Sequence, residues 1–284
     1  MISISTGVPF FNVAVAGYLL SFFLYLFSFV FRRARLGSVG TGVLGVSFAA
    51  QTVGLALRSA TVGILSITNT YESLVFYSWV FALGYLVIEG LYRGVRQRLR
   101  VVGALVALFA FGMVAAAASP LFSGEPRPLI PALQSYWLAL HVSFTILGEG
   151  FFMVAFVASL LYLILERRAR VRARAHVHNP FLPLELLDDL SYKAIAIGFP
   201  FFTLGGLFFG AIWAKYAWGR FWGWDPKETF TLVTWLVYVL YLHLRVRYGW
   251  RERRAAWIAV LGFILALFTF AGVNFLLRGL HSYA

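Results

Sequence analysis

The feature that most constrains this chain is an alternation, repeated along its whole length, between apolar stretches and short arginine clusters or Pro/Gly-rich turns. Several of the stretches reach about 20 residues, the length at which a helix crosses the ~30 Å hydrocarbon core of a bilayer. Reading them in order predicts spans at roughly 9–31, 38–57, 74–92, 101–118, 138–165, 191–213, 229–246 and 255–277. The fold class expected is all-α: a single integral membrane domain over residues 1–284, a polytopic bundle of about eight helices. Composition agrees, since 61% of residues are hydrophobic and 12% charged, against nearly a quarter charged in an average soluble domain. The first ten residues lack the basic stretch and cleavage pattern of a secretory signal, so the first span is expected to remain.

Charge placement gives an orientation. The loops expected at 32–36, 93–100, 166–193 and 245–254 carry 3, 4, 6 and 5 of the 24 Lys/Arg, and the other six fall on the alternate side. The positive-inside rule therefore puts the four loops in the cytoplasm and both termini outside. The net charge of +13 belongs to these loops and not to one basic face, so no nucleic-acid partner is expected. The run Arg167, Arg168, Arg170, Arg172, Arg174 reads as a solvated basic loop facing anionic lipid; His176 and His178 beside it lack the carboxylate or cysteine companions of a metal site. Cysteine is absent, which excludes disulfides, thiolate nucleophiles, thiol relays and iron–sulfur ligation by this chain.

One outer segment stands apart. Four of nine tryptophans, Trp213, Trp218, Trp222 and Trp224, fall within twelve residues, interleaved with Gly219, Gly223, Lys215, Arg220 and Lys227. An interfacial aromatic belt accounts for one or two tryptophans at a helix end, but poorly for four. Indole faces, close-approach glycines and cations suit a flat, conjugated, anionic ligand, and haem has that shape and charge. Haem iron takes axial histidines, and two of the five in the chain share this side: His141 near the outer end of the fifth span and His281 in the outer tail. Either alone reads equally as an interfacial histidine; their coincidence with the tryptophans favours ligation. His243 lies some 14 residues into the seventh span, roughly 21 Å along at 1.5 Å per residue, and so toward the cytoplasmic half. There it is either a functional group or a hydrogen-bond donor to a neighbouring helix. Glu149, between Gly148 and Gly150, is a second intramembrane ionisable group whose role the sequence leaves open.

These residues resemble the CcsA (ResC) family of haem-handling membrane subunits of cytochrome c synthetases. The tryptophan-rich string from Trp218 to Thr229, followed by Tyr241-Leu242-His243, carries the likeness, which extends over residues from about 65 to the end. Family-like pieces recur at Asn69-Thr70-Tyr71-Glu72-Ser73, Pro131-Ala132-Leu133-Gln134-Ser135, Leu187-Asp188-Asp189-Leu190-Ser191-Tyr192, Gly272-Val273-Asn274 and Leu280-His281-Ser282-Tyr283. Gly223 departs from the serine of many relatives, and Gly148-Glu149-Gly150 stands where small or aromatic residues are expected.

The resemblance implies haem b as cofactor, with His141 and His281 as outer axial ligands and His243 as ligand of an inner site where haem enters. It implies Trp218, Trp222 and Trp224 as platform within an extracytoplasmic segment 213–229 that also includes Asp225; Arg220, Lys215 and Lys227 are the candidate propionate partners, with pairing of Lys227 to Asp225 or Glu228 in the same loop as its alternative. Implied partners are a CcsB/ResB-like membrane subunit, an apocytochrome c bearing Cys-x-x-Cys-His, a thiol-reducing protein and membrane lipid. The implied role is to move haem across a bacterial plasma membrane and present it for thioether attachment, as a subunit of a synthetase, a haem lyase. A haem exporter with no part in bond formation is the alternative, and a member of the other multi-subunit maturation pathway a third reading.

Overall fold

The computed structural model describes residues 7–122, 124, 133–173 and 182–277. These residues form an all-helical bundle with eight helices long and apolar enough to cross a membrane. In chain order the helices are α1 (Val8–Val30), α2 (Ala34–Val62), α3 (Thr70–Leu91), α4 (Arg100–Ala117), α5 (Tyr136–Ala173), α6 (Leu184–Phe202), α7 (Gly210–Trp218), α8 (Pro226–Tyr248), α9 (Glu252–Leu267) and α10 (Val273–Leu276). Helices α6 and α7 make one span joined by a π-helical segment, Thr203–Phe209, and α9 runs into a second π segment, Phe268–Gly272. Such wide turns are rare and concentrate at functional sites.

The spans expected from sequence are all present, but several ends move outward. Helix α5 continues to Ala173 and α6 begins at Leu184, so Arg167, Arg168 and Arg170 lie on helix and not in a loop. Glu166 and Arg170, one turn apart at 2.5 Å, support that extension. His176, His178, Arg127 and His281 lie outside the described residues.

Two arginines read as loop charges prove to be buried. Arg58 sits inside α2, 3.0 Å from Glu72, and also donates to Ser66 Oγ at 3.0 Å and to the Gly124 carbonyl at 2.7 Å. Glu72 in turn accepts from Thr68, while Asn69 caps α3 by accepting from Glu72 N at 2.9 Å. The piece Asn69–Ser73 is thus a helix start built on a buried ion pair. At the opposite end Arg100 lies 2.6 Å from Glu89 and donates to Thr41, tying α4 to α3 and α2.

The piece Leu187–Tyr192 makes a similar tie. Asp188 accepts from Arg245 at 2.8 Å and from Glu252 N at 2.9 Å, while Asp189 accepts from Tyr92 Oη at 2.6 Å. Ser191 shares a hydrogen bond with Ser159 at 2.8 Å, and the Arg245 guanidinium lies 5.0 Å from the Tyr192 ring centre. In lipid the driving force between helices is packing and polar pairing, so these ties specify which helices are neighbours.

Candidate functional site

The tryptophan segment begins where α7 ends. Gly219 takes φ 77°, a left-handed stop that glycine adopts without steric cost, and its carbonyl accepts from Lys215 Nζ at 2.9 Å. Helix α8 starts six residues later with Asp225 as N-cap and Pro226 at its first position; Asp225 Oδ2 accepts from Lys227 N at 3.1 Å. Glu228 reaches back to accept from Gly223 N at 2.7 Å and Asp225 N at 3.2 Å, completing a capping box. The polar groups of the loop therefore satisfy its own backbone, and its aromatic faces are left outward.

Trp224, at φ 57°, is 69% exposed and Phe221 is 58% exposed; Trp222 meets Trp224 edge to face with ring centres 5.9 Å apart. A non-glycine residue in the left-handed region carries strain that its surroundings must hold in place. Arg220 is exposed and its guanidinium passes so close to Gly223 that a Cβ there would lie 2.9 Å from Nε.

His141 enters from α5. Its Nδ1 lies 2.8 Å from the carbonyl oxygen of Gly205 in the π segment, and a carbonyl can only accept, so Nδ1 carries the proton and Nε2 the lone pair. The same carbonyl accepts from Gly210 N in the wide turn. The imidazole stacks on the buried Trp213 ring, 5.8 Å between centres and 9° from parallel, and Trp218 meets Trp213 edge to face at 4.8 Å. Gly205 and Gly210 make this possible: a Cβ at Gly210 would sit 2.9 Å from His141 Nδ1, and one at Gly205 would press into the backbone of Phe144 at 2.6 Å. A histidine whose far nitrogen is pinned by a backbone carbonyl is the usual form of an oriented metal ligand.

A comparison with protein-family models matches residues 67–281 to the Cytochrome C assembly protein family. The chain belongs to that family. Among curated relatives, the cytochrome c biogenesis protein CcsA of Guillardia theta is 34% identical over 290 residues, covering 96% of this chain and 94% of the relative. CcsA of Gloeobacter violaceus is 34% identical over 324 residues with the same two coverages. The solved structure of the cytochrome c haem lyase CcmF superposes with a TM-score of 0.66 over 93% of this chain and 46% of its own; at 18% identity it speaks for the fold alone. Family and fold together make this assembly protein a polytopic membrane protein of cytochrome c biogenesis.

In the assembly protein the outer candidates come together in part. His141 stacks on Trp213, which Trp218 meets edge to face, while Trp222 and Trp224 form a second pair on the loop. Asp225 is buried and its carboxylate is engaged in capping; Lys215 caps a carbonyl and lies 5.7 Å from the Phe221 ring centre. His243 is exposed toward the other end of α8, roughly 26 Å beyond Pro226 at 1.5 Å per residue, with its ring 5.5 Å from that of Tyr248. It has no part in the aromatic group around His141.

Sequence reasoning passed over Gly205 and Gly210, which admit the imidazole, and gave Trp213 no contact of its own. A glycine pair followed by a third glycine inside an apolar run was the available signal.

Proposed function

We propose that this assembly protein binds haem at an outer site built on His141 and the tryptophan segment, and presents it for covalent attachment to an apocytochrome c. The observation that carries the reading is the His141 geometry: Nδ1–H fixed on Gly205 O and the ring clamped flat on Trp213, which leaves Nε2 as the nitrogen that can ligate iron. The residues fit such a substrate. Exposed aromatic faces at Trp224 and Phe221 offer stacking, Gly219 and Gly223 keep the loop low, and Arg220 stands over Gly223 as a carboxylate partner.

Haem b is the substrate proposed, with His281 as second axial ligand and His243 as ligand of an inner entry site. In the attachment step each apocytochrome thiol adds across a vinyl group: the sulfur bonds to the vinyl carbon nearest the ring and the thiol hydrogen ends on the outer carbon. No electrons are gained or lost, so what this chain contributes is position and orientation. The absence of cysteine here leaves all thiols to the partner. A CcsB-like subunit is the proposed membrane partner, with a separate thiol reductant.

The proposed topology puts both termini and the tryptophan segment outside a bacterial plasma membrane, supported by Arg32, Arg33, Arg35, Arg247, Arg251, Arg253 and Arg254 at the opposite, arginine-rich end. Because the chain has no cysteine, a single Phe221→Cys variant labelled in intact cells by an impermeant maleimide checks it directly. For haem, the test is the oxidised and reduced absorption spectrum of purified wild type and of His141→Ala, His281→Ala and His243→Ala. Six-coordinate low-spin bands, disturbed by loss of either outer histidine, are expected. Free haem released outside by cells lacking any apocytochrome would favour export over attachment.

A further inference from the structure

The π turn that carries Gly205 is soft by composition. Pro200, three residues before it, has no N–H to give to the preceding turn, and Gly205-Gly206 restrict their own backbone angles little. Such a joint holds one shape only where its neighbours define it. On one side stands α5: a Cβ at Gly205 would press into the backbone of Phe144 and Thr145. On the other side stands α8, through two residues that take no part in the aromatic group around His141.

The first is Trp235. Its Nε1 donates to Thr203 Oγ1 at 3.0 Å, and its ring lies over Phe199, 5.8 Å between centres and 27° from parallel. Thr203 Oγ1 donates in turn to the Phe199 carbonyl at 2.8 Å, so the hydroxyl is used both as acceptor and as donor. The second is Thr231, one helical turn earlier, where a Cβ at Gly206 would lie 2.9 Å from Thr231 Cγ2. Thr231 and Trp235 share one face of α8, and Thr203 and Gly206 share one face of the opposing span, so the two helices mesh over a single turn. In hydrocarbon no water competes for the indole N–H, which makes this bond a directional constraint. Gly205 lies between Thr203 and Gly206, and its carbonyl accepts from His141 Nδ1 at 2.8 Å. Helix α8 is also the rod that the tryptophan loop caps: Thr231 and Trp235 sit roughly 8 Å and 14 Å along it from Pro226 at 1.5 Å per residue.

Resting on the haem reading above, we infer that Trp235 and Thr203 are positioning residues for His141. Through them α8 grips the π turn, the turn holds the Gly205 carbonyl against Nδ1–H, and Nε2 is kept bare for iron. Neither residue touches the ligand. One rod carries both the aromatic faces of the loop and this grip, and so sets the platform in register with the axial nitrogen. An imidazole held on a carbonyl keeps one tautomer and is the more basic ligand. Loss of the grip lets the ring exchange tautomers and weakens it as a donor, which favours ferrous iron and raises the midpoint potential.

The first measurement needs no haem. Among the five histidines, His141 is identified in the nitrogen NMR spectrum of the histidine-labelled, haem-free full chain in detergent by the resonances that His141→Ala removes. Wild type and Thr203→Ser should show the Nδ1–H form alone. Thr203→Val should show both tautomers, as should Trp235→Phe, which keeps a ring against Phe199 without the N–H. With haem bound, Trp235→Phe and Thr203→Val should each raise the haem Kd about tenfold and move the midpoint potential upward. The double variant should go no further than either single one, because the two remove the same bond. Should Trp235→Phe not fold, Thr203→Val against Thr203→Ser carries the same test. A single tautomer and an unaltered potential in both variants, with only the unfolding midpoint lowered, would overturn the inference and reduce the bond to a tie between helices. A wild type that takes up no haem would overturn the haem reading, and the tautomer contrast would still decide whether Trp235 and Thr203 position His141.

Discussion

The tryptophan loop and the ion pairs between helices handle charge at a membrane boundary in opposite ways. Arg100–Glu89 and Arg245–Asp188 at the arginine-rich end, and Arg58–Glu72 at the other, join different helices through side chains that are almost wholly buried. At the tryptophan end, Asp225, Glu228 and Lys215 spend their charges on the loop's own backbone, a few residues away in sequence. The first arrangement locks helices together. The second ties the loop to itself by bonds within a few residues, with Phe221 and Trp224 exposed. A loop preorganised by local bonds can offer aromatic faces to a ligand without being ordered at the moment of binding.

Breaking a lock should therefore harm the fold, and changing the loop should harm binding. The largest effect is expected for Glu89→Ala, which strands the buried Arg100 guanidinium; the loss should be roughly 3–5 kcal/mol, read as a lowered unfolding midpoint in detergent. Next comes Gly210→Ala, whose methyl would press on His141 Nδ1. Here the low-spin haem bands should weaken or split while the unfolding midpoint falls far less, and a collapse of the midpoint with unchanged bands would contradict the division of labour.

Asp225→Ala removes the α8 cap, with an expected cost of about 1 kcal/mol and a larger proportional loss of haem retention. Trp224→Ala, already exposed, should shift stability by less than about 0.5 kcal/mol yet lower haem occupancy measurably. The smallest effect belongs to Lys193→Ala: its i,i+4 pair with Asp189 is about half exposed on both sides, and its removal should cost about 0.3 kcal/mol and leave the haem spectrum alone.

How much of this was legible in the chain differs along it. Each span could be read because hydrophobicity over about 20 residues is a local property. Span ends were harder. Arg58 and Arg100 look like boundary charges until their partners, Glu72 and Glu89, are brought beside them from another helix. The capping box Asp225–Glu228 is written in four adjacent residues, so the start of α8 was within reach of sequence reasoning. The environment of Glu149 was not, because Tyr77 lies 72 residues away and meets it only once α3 and α5 cross. The stack of His141 on Trp213 depends on a wide helical turn that has no sequence signature beyond its glycines.

That wide turn has a further consequence for how the α6–α7 span can change. An α-helix turns about 100° per residue, so an extra residue in a regular helix re-aims everything beyond it; a π turn holds more residues per turn and absorbs the extra one locally. Deleting a single residue from Thr203–Phe209 would let the span close into regular α-helix with Leu184–Phe202 and Trp213 still near their present faces, while the widened turn that brings the Gly205 carbonyl to His141 is lost. The joint thus keeps the two halves of the span in phase and spares one carbonyl for a side chain of another helix.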